Sequence, residues 1–440
     1  MDIRLIALMT ICVTIVSVHA VQMLVLLAVR QRFARRRALL CRELDFQRRL
    51  FLRRRRRRIV ALLASKRRRK QGVKRSTSSH WWDKTVPLFS DKEWLENFRV
   101  RKGTFDWICS RVHDLLAPQP NPVIAGQALS VEKIVAIGLY KLAHVAEYLV
   151  IGNLFGVCKS TVHNCLYAFC YAVTEELGDT FIRFPDAEEA AHISRRFEEM
   201  SNIPQLIGAI DGSHIPITPP REGNSDFINR KTYHSLVLQG IVDDQYLFRD
   251  ISCKMPGACH DADVLRDSTF YKNHDKLMPK GTRNVNGMDI PYMIMGDPAY
   301  PLMPWLLKNY TYDKNTTPVM DSFNVYMNKA RVVVENAFGR LKARWRILGR
   351  RSDINYKFVP RVEAACCILH NICELSKETF HNRWLAALRE DEREFPQPDT
   401  IPHDTENQYD AVDIRDHLML YLSEKCEVLT SSRGRCVQQS

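Results

Sequence analysis

The sequence predicts an α/β fold whose strands and helices follow a region that is helical throughout. Two short apolar runs, 206–210 and 292–295, each lead into a carboxylate and a turn, as buried strands do where they end. Residues 328–348 show the third feature, apolar side chains at helical spacing beside basic ones. Before residue 200 the apolar spacing is helical only, so the sheet belongs to the second half of the chain.

The formal net charge of +14 is concentrated in one stretch of this 440-residue chain. Residues 30–75 contain 21 Lys and Arg against Glu43 and Asp45, a net of +19, which leaves −5 for the remaining residues. The sequence therefore predicts a mildly acidic globular body with a basic arm. Such arms are typical of nuclear import signals and of non-specific contact with nucleic-acid phosphates, and a membrane surface is the competing partner.

The first residues leave three interpretations open. Residues 5–28 are apolar and long enough to span a bilayer, which takes about 20 residues. They form a membrane anchor, a weakly hydrophobic leader on a nuclear protein, or an unusual start to the gene model. A cleaved signal peptide is less attractive because secretion would expose 13 cysteines to oxidation. We favour a nuclear protein with a cytoplasmic pool over one that contacts the membrane.

The helical region contains the spacing of a helix-turn-helix. Two helices are expected at 94–116, then one at 131–144 and a short one at 148–152. A further helix opens after Val157, with Ser160 as its N-cap and a recognition helix beginning near Lys159. Lys159 and His163 are the candidates for DNA contact, which makes a thin basic face. An ordinary helical bundle is the alternative.

Three acidic residues are candidates for a metal site. Asp211 follows an apolar run and precedes Gly212, and Asp297 follows another run. Glu335 lies among apolar neighbours of the late helix, with Val332 and Phe338 on the same predicted side. Buried carboxylates are costly unless they are paired or bind a metal, and oxygen ligands suit Mg²⁺. The competing interpretation of Asp211 is a residue that closes a turn at a strand end.

The elements between these residues are predicted in order. Strands at 235–242 and 245–252 form a hairpin. A helix begins at His260-Asp261, and Asp261 either caps this helix or binds a metal. Polar loops are expected at 272–289 and 308–325. An acidic, flexible linker at 390–407 precedes a last amphipathic helix at 411–422.

Basic residues near the candidate site allow two interpretations. Arg340 and Lys342 on the late helix neutralise a DNA backbone or simply form a solvated surface. Arg221, Arg230 and Lys231, after the first strand, are similar candidates.

A cluster of thiols raises the question of zinc. Cys366, Cys367 and Cys373 lie near His370, but their spacing favours packing inside a helix over paired zinc knuckles.

Six motifs occur in a fixed order and carry a resemblance. They are DGSH at 211–214, YHS at 233–235, PGACHD at 256–261, GDPAYPL at 296–302, ENAFGRLKARW at 335–345 and LHN at 369–371. Over about residues 80–425 the chain resembles the PIF/Harbinger transposases and the host proteins derived from them. The resemblance implies an RNase H-like fold, a mixed sheet flanked by helices, with a DDE nuclease site at Asp211, Asp297 and Glu335. Asp261 is a plausible further ligand of Mg²⁺ or Mn²⁺.

The resemblance also implies a domain order and a function. The expected segments are 1–30 apolar leader, 31–79 basic arm, 80–200 helix-turn-helix-like DNA-binding region, 201–376 nuclease domain, and 377–440 acidic linker with a C-terminal helix. We expect a metal-dependent nuclease that hydrolyses DNA, with a Myb-like protein as a DNA-binding partner. The alternative is a DNA-binding or chromatin-associated protein whose catalysis is idle.

Overall fold

The structure, a computed structural model, describes residues 78–117, 129–221, 223–351, 353–399, 402 and 407–430. The apolar leader and the basic arm before residue 78 lie outside the described residues, and so does the membrane-anchor interpretation of residues 5–28. Within the described part of the chain, no helix is both long and apolar enough to cross a membrane.

The first half of the described chain is helical, as predicted. Ser90 caps the first helix through a reciprocal capping box with Glu93, and Ser130 caps the third by accepting from the Lys133 N–H. The helices are α1 (Asp91–Phe98), α2 (Lys102–Leu116), α3 (Val131–Ala143), α4 (Tyr148–Phe155), α5 (Lys159–Glu176), α6 (Gly178–Phe181) and α7 (Ala187–Ser201).

The helix-turn-helix spacing corresponds to α3, α4 and α5, with one correction. Cys158, not Ser160, is the N-cap of α5, and the Cys158 Sγ lies 3.2 Å from the Ser160 Oγ. The prediction was wrong because the helix already begins at Lys159, which places Ser160 inside its first turn.

The second half builds a five-stranded mixed sheet, as expected for an RNase H-like fold. Its strand order is β3-β2-β1-β6-β7, with β1–β2 and β2–β3 antiparallel and β1–β6 and β6–β7 parallel. The elements are β1 (Leu206–Pro216), β2 (Ser235–Val242), β3 (Phe248–Pro256), α8 (Asp261–Asp267), α9 (Thr269–Leu277), β4 (Thr282–Val285), β5 (Met288–Pro291), β6 (Met293–Gly296) and β7 (Leu306–Lys308).

The predicted polar loop at 272–289 is wrong. It contains the end of α9 and a β4–β5 hairpin whose turn is formed by Asn286 and Gly287, with φ of 45° and 95°. Asn-Gly is a strong hairpin turn because both residues tolerate positive φ.

The chain ends in four long helices, α10 (Pro318–Arg344), α11 (Val359–Leu375), α12 (Asn382–Glu394) and α13 (Tyr409–Lys425). The acidic linker predicted at 390–407 is wrong in its first part, because α12 continues to Glu394. The Asp391 carboxylate is fully buried and accepts from the Arg346 and Arg350 guanidinium groups, which fixes this end of α12.

One hydrophobic core joins the helical region to the sheet. It runs from Trp94 of α1 through Phe169 of α5 and Phe248 of β3 to Leu418 of α13, all of them buried. A Cβ added at Gly138 of α3 would lie 2.3 Å from the Phe169 ring, so a glycine is needed where α3 and α5 pack. The helices before β1 thus support the sheet directly.

Candidate active site

Two neighbouring parallel strands bring Asp211 and Asp297 to one edge of the sheet. β1 pairs with β6 only as far as Ala209, opposite Met295, and both strands then reach their carboxylates. Asp211 does not end its strand, because β1 continues along β2 as far as Pro216. Asp297 is 2% exposed, and its Oδ1 accepts from the Ala299 N–H at 2.9 Å.

A third carboxylate, Asp261, lies against the same strand. A Cβ added at Gly212 would lie 2.8 Å from the Asp261 Oδ1, so Asp261 contacts β1 where only a glycine leaves room. His260 is the N-cap of α8, and Asp261 is its first helical residue. Asp261 is therefore directed at the strand, and the capping interpretation is wrong.

The negative charge of Asp297 raises the pKa of both neighbouring aspartates. Burial and the negative charge of Asp297, in that order, raise the pKa of Asp211 well above its ordinary value. The same two causes raise the pKa of Asp261 to about 6, against the opposing charge of Arg230. Crowded, partly desolvated carboxylates of this kind are characteristic of functional sites.

Glu335 lies at the margin of this group. Its side chain is 45% exposed, and its Oε1 lies 2.8 Å from the Arg331 Nη2. The buried face of α10 contains Val333, Val334 and Ala337, while Val332 is 46% exposed. Of the predicted inward face, Phe338 is buried as expected, whereas Val332 is exposed and Val333 is buried in its place, because three consecutive valines allow more than one helical phase.

Arg331 links Glu335 electrostatically to the aspartates. Its positive charge lowers the pKa of Asp211, while its guanidinium pairs with Glu335. Sequence analysis missed Arg331, although its position one helical turn before Glu335 is visible.

The donors fit a hard divalent cation in their chemistry. Carboxylate oxygens are the ligands that Mg²⁺ prefers, and a cation would relieve the repulsion that raises the pKa values of Asp211 and Asp261. Across the described ranges, however, no group of three or more His, Cys, Asp or Glu side chains has an arrangement that could hold a metal ion.

Two polar residues behind the aspartates were also missed. Gln239 donates from Nε2 to the Tyr300 Oη at 3.0 Å and to the Asp261 carbonyl at 3.3 Å. Burial and then the charges of Asp261, Asp211 and Asp297 raise the pKa of Tyr300. The detectable sequence feature was Gln239 itself, a single amide in the otherwise apolar strand SLVLQGIV.

His214 lies on β1 beyond Asp211 and is neutral at pH 7. Its Nδ1 lies 2.9 Å from the Ser235 Oγ, and burial followed by the charges of Lys342 and Arg230 lowers its pKa to about 4.

Lys342 and Arg340 are engaged within the protein, which corrects their assignment as DNA contacts. Lys342 is 2% exposed and donates from Nζ to the His214 carbonyl at 3.1 Å. The Arg340 Nη2 donates to the Glu374 Oε2 at 2.6 Å, and the guanidinium lies 4.5 Å from the Phe380 ring centroid. Neither cation is directed at solvent, because each has a partner on a distant element that periodicity does not reveal.

The helix-turn-helix candidates lie on a surface cleft. Lys159 is exposed at the start of α5, and the cleft is lined by Tyr148, Cys158, Lys159, Ser160, His163 and Asp353. His163 stacks on Tyr167 with 4.2 Å between ring centroids, and Tyr167 stacks on Phe358 at 3.7 Å. Lys159 is thus accessible to a phosphate, whereas His163 is packed.

The thiols near His370 are buried in α11, in agreement with helical packing. His370 donates from Nε2 to the Tyr246 carbonyl at 2.8 Å.

Comparison with known proteins places this site in a wider group. Residues 210–371 match the family described as DDE superfamily endonuclease. The chain is 34% identical over 310 residues to Antagonist of Like Heterochromatin Protein 1 from Arabidopsis thaliana, which covers 66% of this chain and 77% of that relative. It is 33% identical over 313 residues to an ALP1-like protein of the same plant, covering 67% and 75%.

A more distant similarity extends to animals. The chain is 26% identical over 307 residues to the Homo sapiens protein named "Putative nuclease HARBI1", covering 68% of this chain and 82% of that relative. No solved structure matches. The matched segment contains all four acidic residues of the candidate site, Asp211, Asp261, Asp297 and Glu335.

Proposed function

Because the chain belongs to the family of Harbinger transposase-derived proteins with a DDE superfamily endonuclease domain, we propose that it hydrolyses DNA phosphodiester bonds in a metal-dependent reaction. The observation that carries the proposal is the convergence of Asp211, Asp261 and Asp297 at one edge of the sheet. Neighbouring carboxylates disfavour one another's charge, a bound cation would relieve that repulsion, and phosphoryl transfer is a reaction for which such sites are suited.

Asp211, Asp297 and Glu335 are the proposed catalytic residues, and with Asp261 they would hold Mg²⁺ or Mn²⁺. A divalent cation bound there supplies a Lewis acid that activates water and offsets charge on the leaving oxygen. Glu335, which is paired with Arg331, would exchange that partner for the cation.

The remaining groups orient the site. The Ala299 N–H holds the Asp297 carboxylate, and Gln239 fixes Tyr300 behind Asp261. Water adds to phosphorus, the bond to the 3′ oxygen breaks, and the products are a 5′-phosphate and a 3′-hydroxyl. His214 is held by Ser235 and stays neutral, because burial and the charges of Lys342 and Arg230 oppose its protonation.

DNA and a nuclear location belong to the same proposal. Lys159 is exposed at the first turn of α5, where a phosphate also meets the helix N-terminus. The basic arm at 30–75 has the composition of a nuclear import signal and of a non-specific DNA contact. A thin basic face on α5 favours sequence reading by a Myb-like partner protein.

A second candidate function has its own support. The Glu335 carboxylate is paired with Arg331, and the similar plant protein is named for antagonism of a heterochromatin protein. Both observations favour a chromatin-associated DNA-binding protein whose catalysis is idle.

The first test is nicking of supercoiled plasmid by the full-length protein in Mg²⁺, Mn²⁺ or chelator. We expect nicking that needs the metal and falls about 1,000-fold in Asp211→Asn and in Glu335→Gln, since each removes a negative ligand. Glu390→Gln is the matched control, because Glu390 is 71% exposed on α12. If the wild type and the variants all bind DNA and none of them cleaves it, the idle alternative is favoured. If Glu335→Gln cleaves as fast as the wild type, Glu335 is not part of the site.

Gly212→Ala tests the placement of Asp261. The added Cβ would lie 2.8 Å from the Asp261 Oδ1 and must displace that flexible carboxylate. We expect the unfolding free energy to change by less than about 1 kcal/mol, while Mn²⁺ affinity measured by calorimetry falls about tenfold. Gly103→Ala is the control, because nothing lies within 4 Å of an added Cβ there. Unchanged Mn²⁺ affinity in Gly212→Ala would show that Asp261 is not a ligand.

A further inference from the structure

A short segment after α12 crosses the surface beside the candidate active site. Residues 395–399, Phe-Pro-Gln-Pro-Asp, are called the acidic strap here. Pro396 and Pro398 cannot continue the helix, so the chain leaves α12 in an extended form. The surrounding sequence, 390–407, contains seven Asp and Glu against one Arg.

The strap begins from a fixed point. Asp391, four residues before it, is fully buried and receives the guanidinium groups of Arg346 at 2.8 Å and Arg350 at 2.6 Å. Charge-assisted hydrogen bonds to a buried carboxylate are strong, so the end of α12 is held against the segment that follows α10.

Gln397 attaches the strap to β1 where that strand has no neighbour on one side. β6 pairs with β1 only through Ala209, which leaves the later residues of that edge open. The Gln397 Oε1 accepts from the His214 N–H at 2.8 Å and from the Ser213 Oγ at 3.3 Å, and its Nε2 donates to the His214 carbonyl at 3.3 Å. One side-chain amide thus takes the place of a strand partner.

A second contact lies on the loop before β2. The Phe395 and Tyr233 rings meet edge to face with 5.3 Å between centroids, and the Tyr233 Oη donates to the Pro396 carbonyl at 3.2 Å. The strap is therefore seated on two sides before it reaches its acidic end.

Asp399 engages two cations at the margin of the carboxylate site. Its Oδ2 accepts from the Lys231 Nζ at 2.7 Å, and its carbonyl accepts from the Arg230 Nη1 at 3.3 Å. The Arg230 Nη2 also lies 2.7 Å from the His260 Nδ1, and the charge of Arg230 lowers the pKa of Asp261. Arg230 is thus close enough to Asp261 for its charge to act on that carboxylate, and Lys231 is the next residue in the chain.

We propose that Arg230 and Lys231 bind the phosphate backbone of DNA at the edge of the active site, and that the acidic strap occupies them until DNA displaces it. The inference rests on the proposed function and adds a DNA-contacting pair and an autoinhibitory segment to it. The Asp399 carboxylate occupies the position of a phosphate, since both are anions that Lys and Arg bind through charge-assisted hydrogen bonds.

The acidic end of the strap, at Asp399, is held weakly enough to be displaced. The Asp399 side chain is 89% exposed and that of Lys231 is 33% exposed, and an ion pair so open to water changes an equilibrium constant by at most about fivefold. DNA competes with many phosphates at once and gains from the release of its condensed counterions. The strap therefore lowers DNA affinity without abolishing it.

The test measures binding of a fluorescein-labelled DNA duplex to the full-length protein by anisotropy, with chelator present to prevent cleavage. Asp399→Ala is expected to bind about threefold to fivefold tighter than wild type, because Lys231 becomes available. Asp114→Ala is the matched control, since it removes the same charge from a side chain that is 97% exposed on α2. Lys231→Ala is expected to bind more weakly, with a salt dependence reduced by about one phosphate contact.

Two further variants separate displacement of the strap from a general change of charge. Gln397→Ala leaves the charge unchanged and is expected to tighten DNA binding by releasing the strap from β1. The Asp399→Ala, Lys231→Ala double variant is expected to bind no more tightly than Lys231→Ala alone, because the carboxylate acts through Lys231.

The outcomes distinguish this inference from the proposed function. DNA binding by every variant with wild-type affinity would overturn the strap and leave the nuclease proposal intact. A gain in Asp399→Ala no larger than that in Asp114→Ala would do the same, and so would a gain that persists in the double variant. No DNA binding by any variant would overturn both proposals.

Discussion

Asp297→Asn is expected to abolish DNA cleavage and at the same time to stabilise the metal-free protein. Asp297 is 2% exposed, and its charge raises the pKa values of Asp211 and Asp261. Asparagine keeps the shape and still accepts from the Ala299 N–H, but it removes a negative ligand and the repulsion. We expect cleavage to fall about 1,000-fold. The unfolding free energy in chelator at pH 8 should rise by about 1–3 kcal/mol.

The two effects are measured as plasmid nicking rates and as denaturant unfolding in chelator. Asp250→Asn is the matched control, since burial raises the pKa of Asp250 on β3 to about 7, outside the group of aspartates. That variant should gain stability and keep its cleavage. Retention of cleavage by Asp297→Asn would contradict the assignment of Asp297, and a parallel loss in Asp250→Asn would mean that the assay reports folding instead.

Glu363→Gln is expected to make the protein's stability less dependent on pH. Glu363 lies on α11, fully buried, and burial raises its pKa from 4.5 to about 8 despite the Cys253 thiol and the charge of Lys342. The folded protein therefore binds a proton between pH 4.5 and 8 that the unfolded chain does not bind. Stability is lost as the pH rises through this interval.

Glutamine removes that loss, so the two proteins should be equally stable near pH 4.5 and diverge as the pH rises. At pH 8 we expect Glu363→Gln to be more stable by on the order of 2–4 kcal/mol, measured by urea unfolding across the range. Glu390→Gln, on the exposed face of α12, should follow the wild-type curve. Parallel curves for Glu363→Gln and wild type would show that Glu363 is ionised in the folded protein.

Lys342 connects these two predictions. It donates to the His214 carbonyl on β1. Burial lowers the pKa of Lys342 to about 8, and the negative charges of Glu392, Glu363 and Asp211 oppose that lowering. The stretch of β1 that β6 leaves unpaired is thus contacted by Lys342 of α10 and by Gln397 of the acidic strap, both at His214. Both residues support the strand that presents Asp211.

Local patterns in the sequence predicted most of the helices and the strands that contain Asp211 or precede Asp297. Apolar runs leading into Asp211 and Asp297 predicted two buried strands, because burial of a strand leaves a local pattern of side chains. The helical spacing before residue 200 likewise predicted helices that the structure contains, although the one cap expected there, Ser160, lies inside its helix. The ordered motifs predicted the family and its mixed sheet.

Only the tertiary structure decided what the other side chains contact. Asp261 touches Gly212 instead of capping its helix, Glu335 pairs with Arg331, and Lys342 is buried against His214. The strap was predicted as a flexible linker because its composition is acidic and rich in proline, yet Gln397 and Asp399 bind residues more than 160 positions away. Helical phase and the choice of an ion-pair partner depend on energies that differ by about 1 kcal/mol, and such small terms are settled by neighbours from distant parts of the chain.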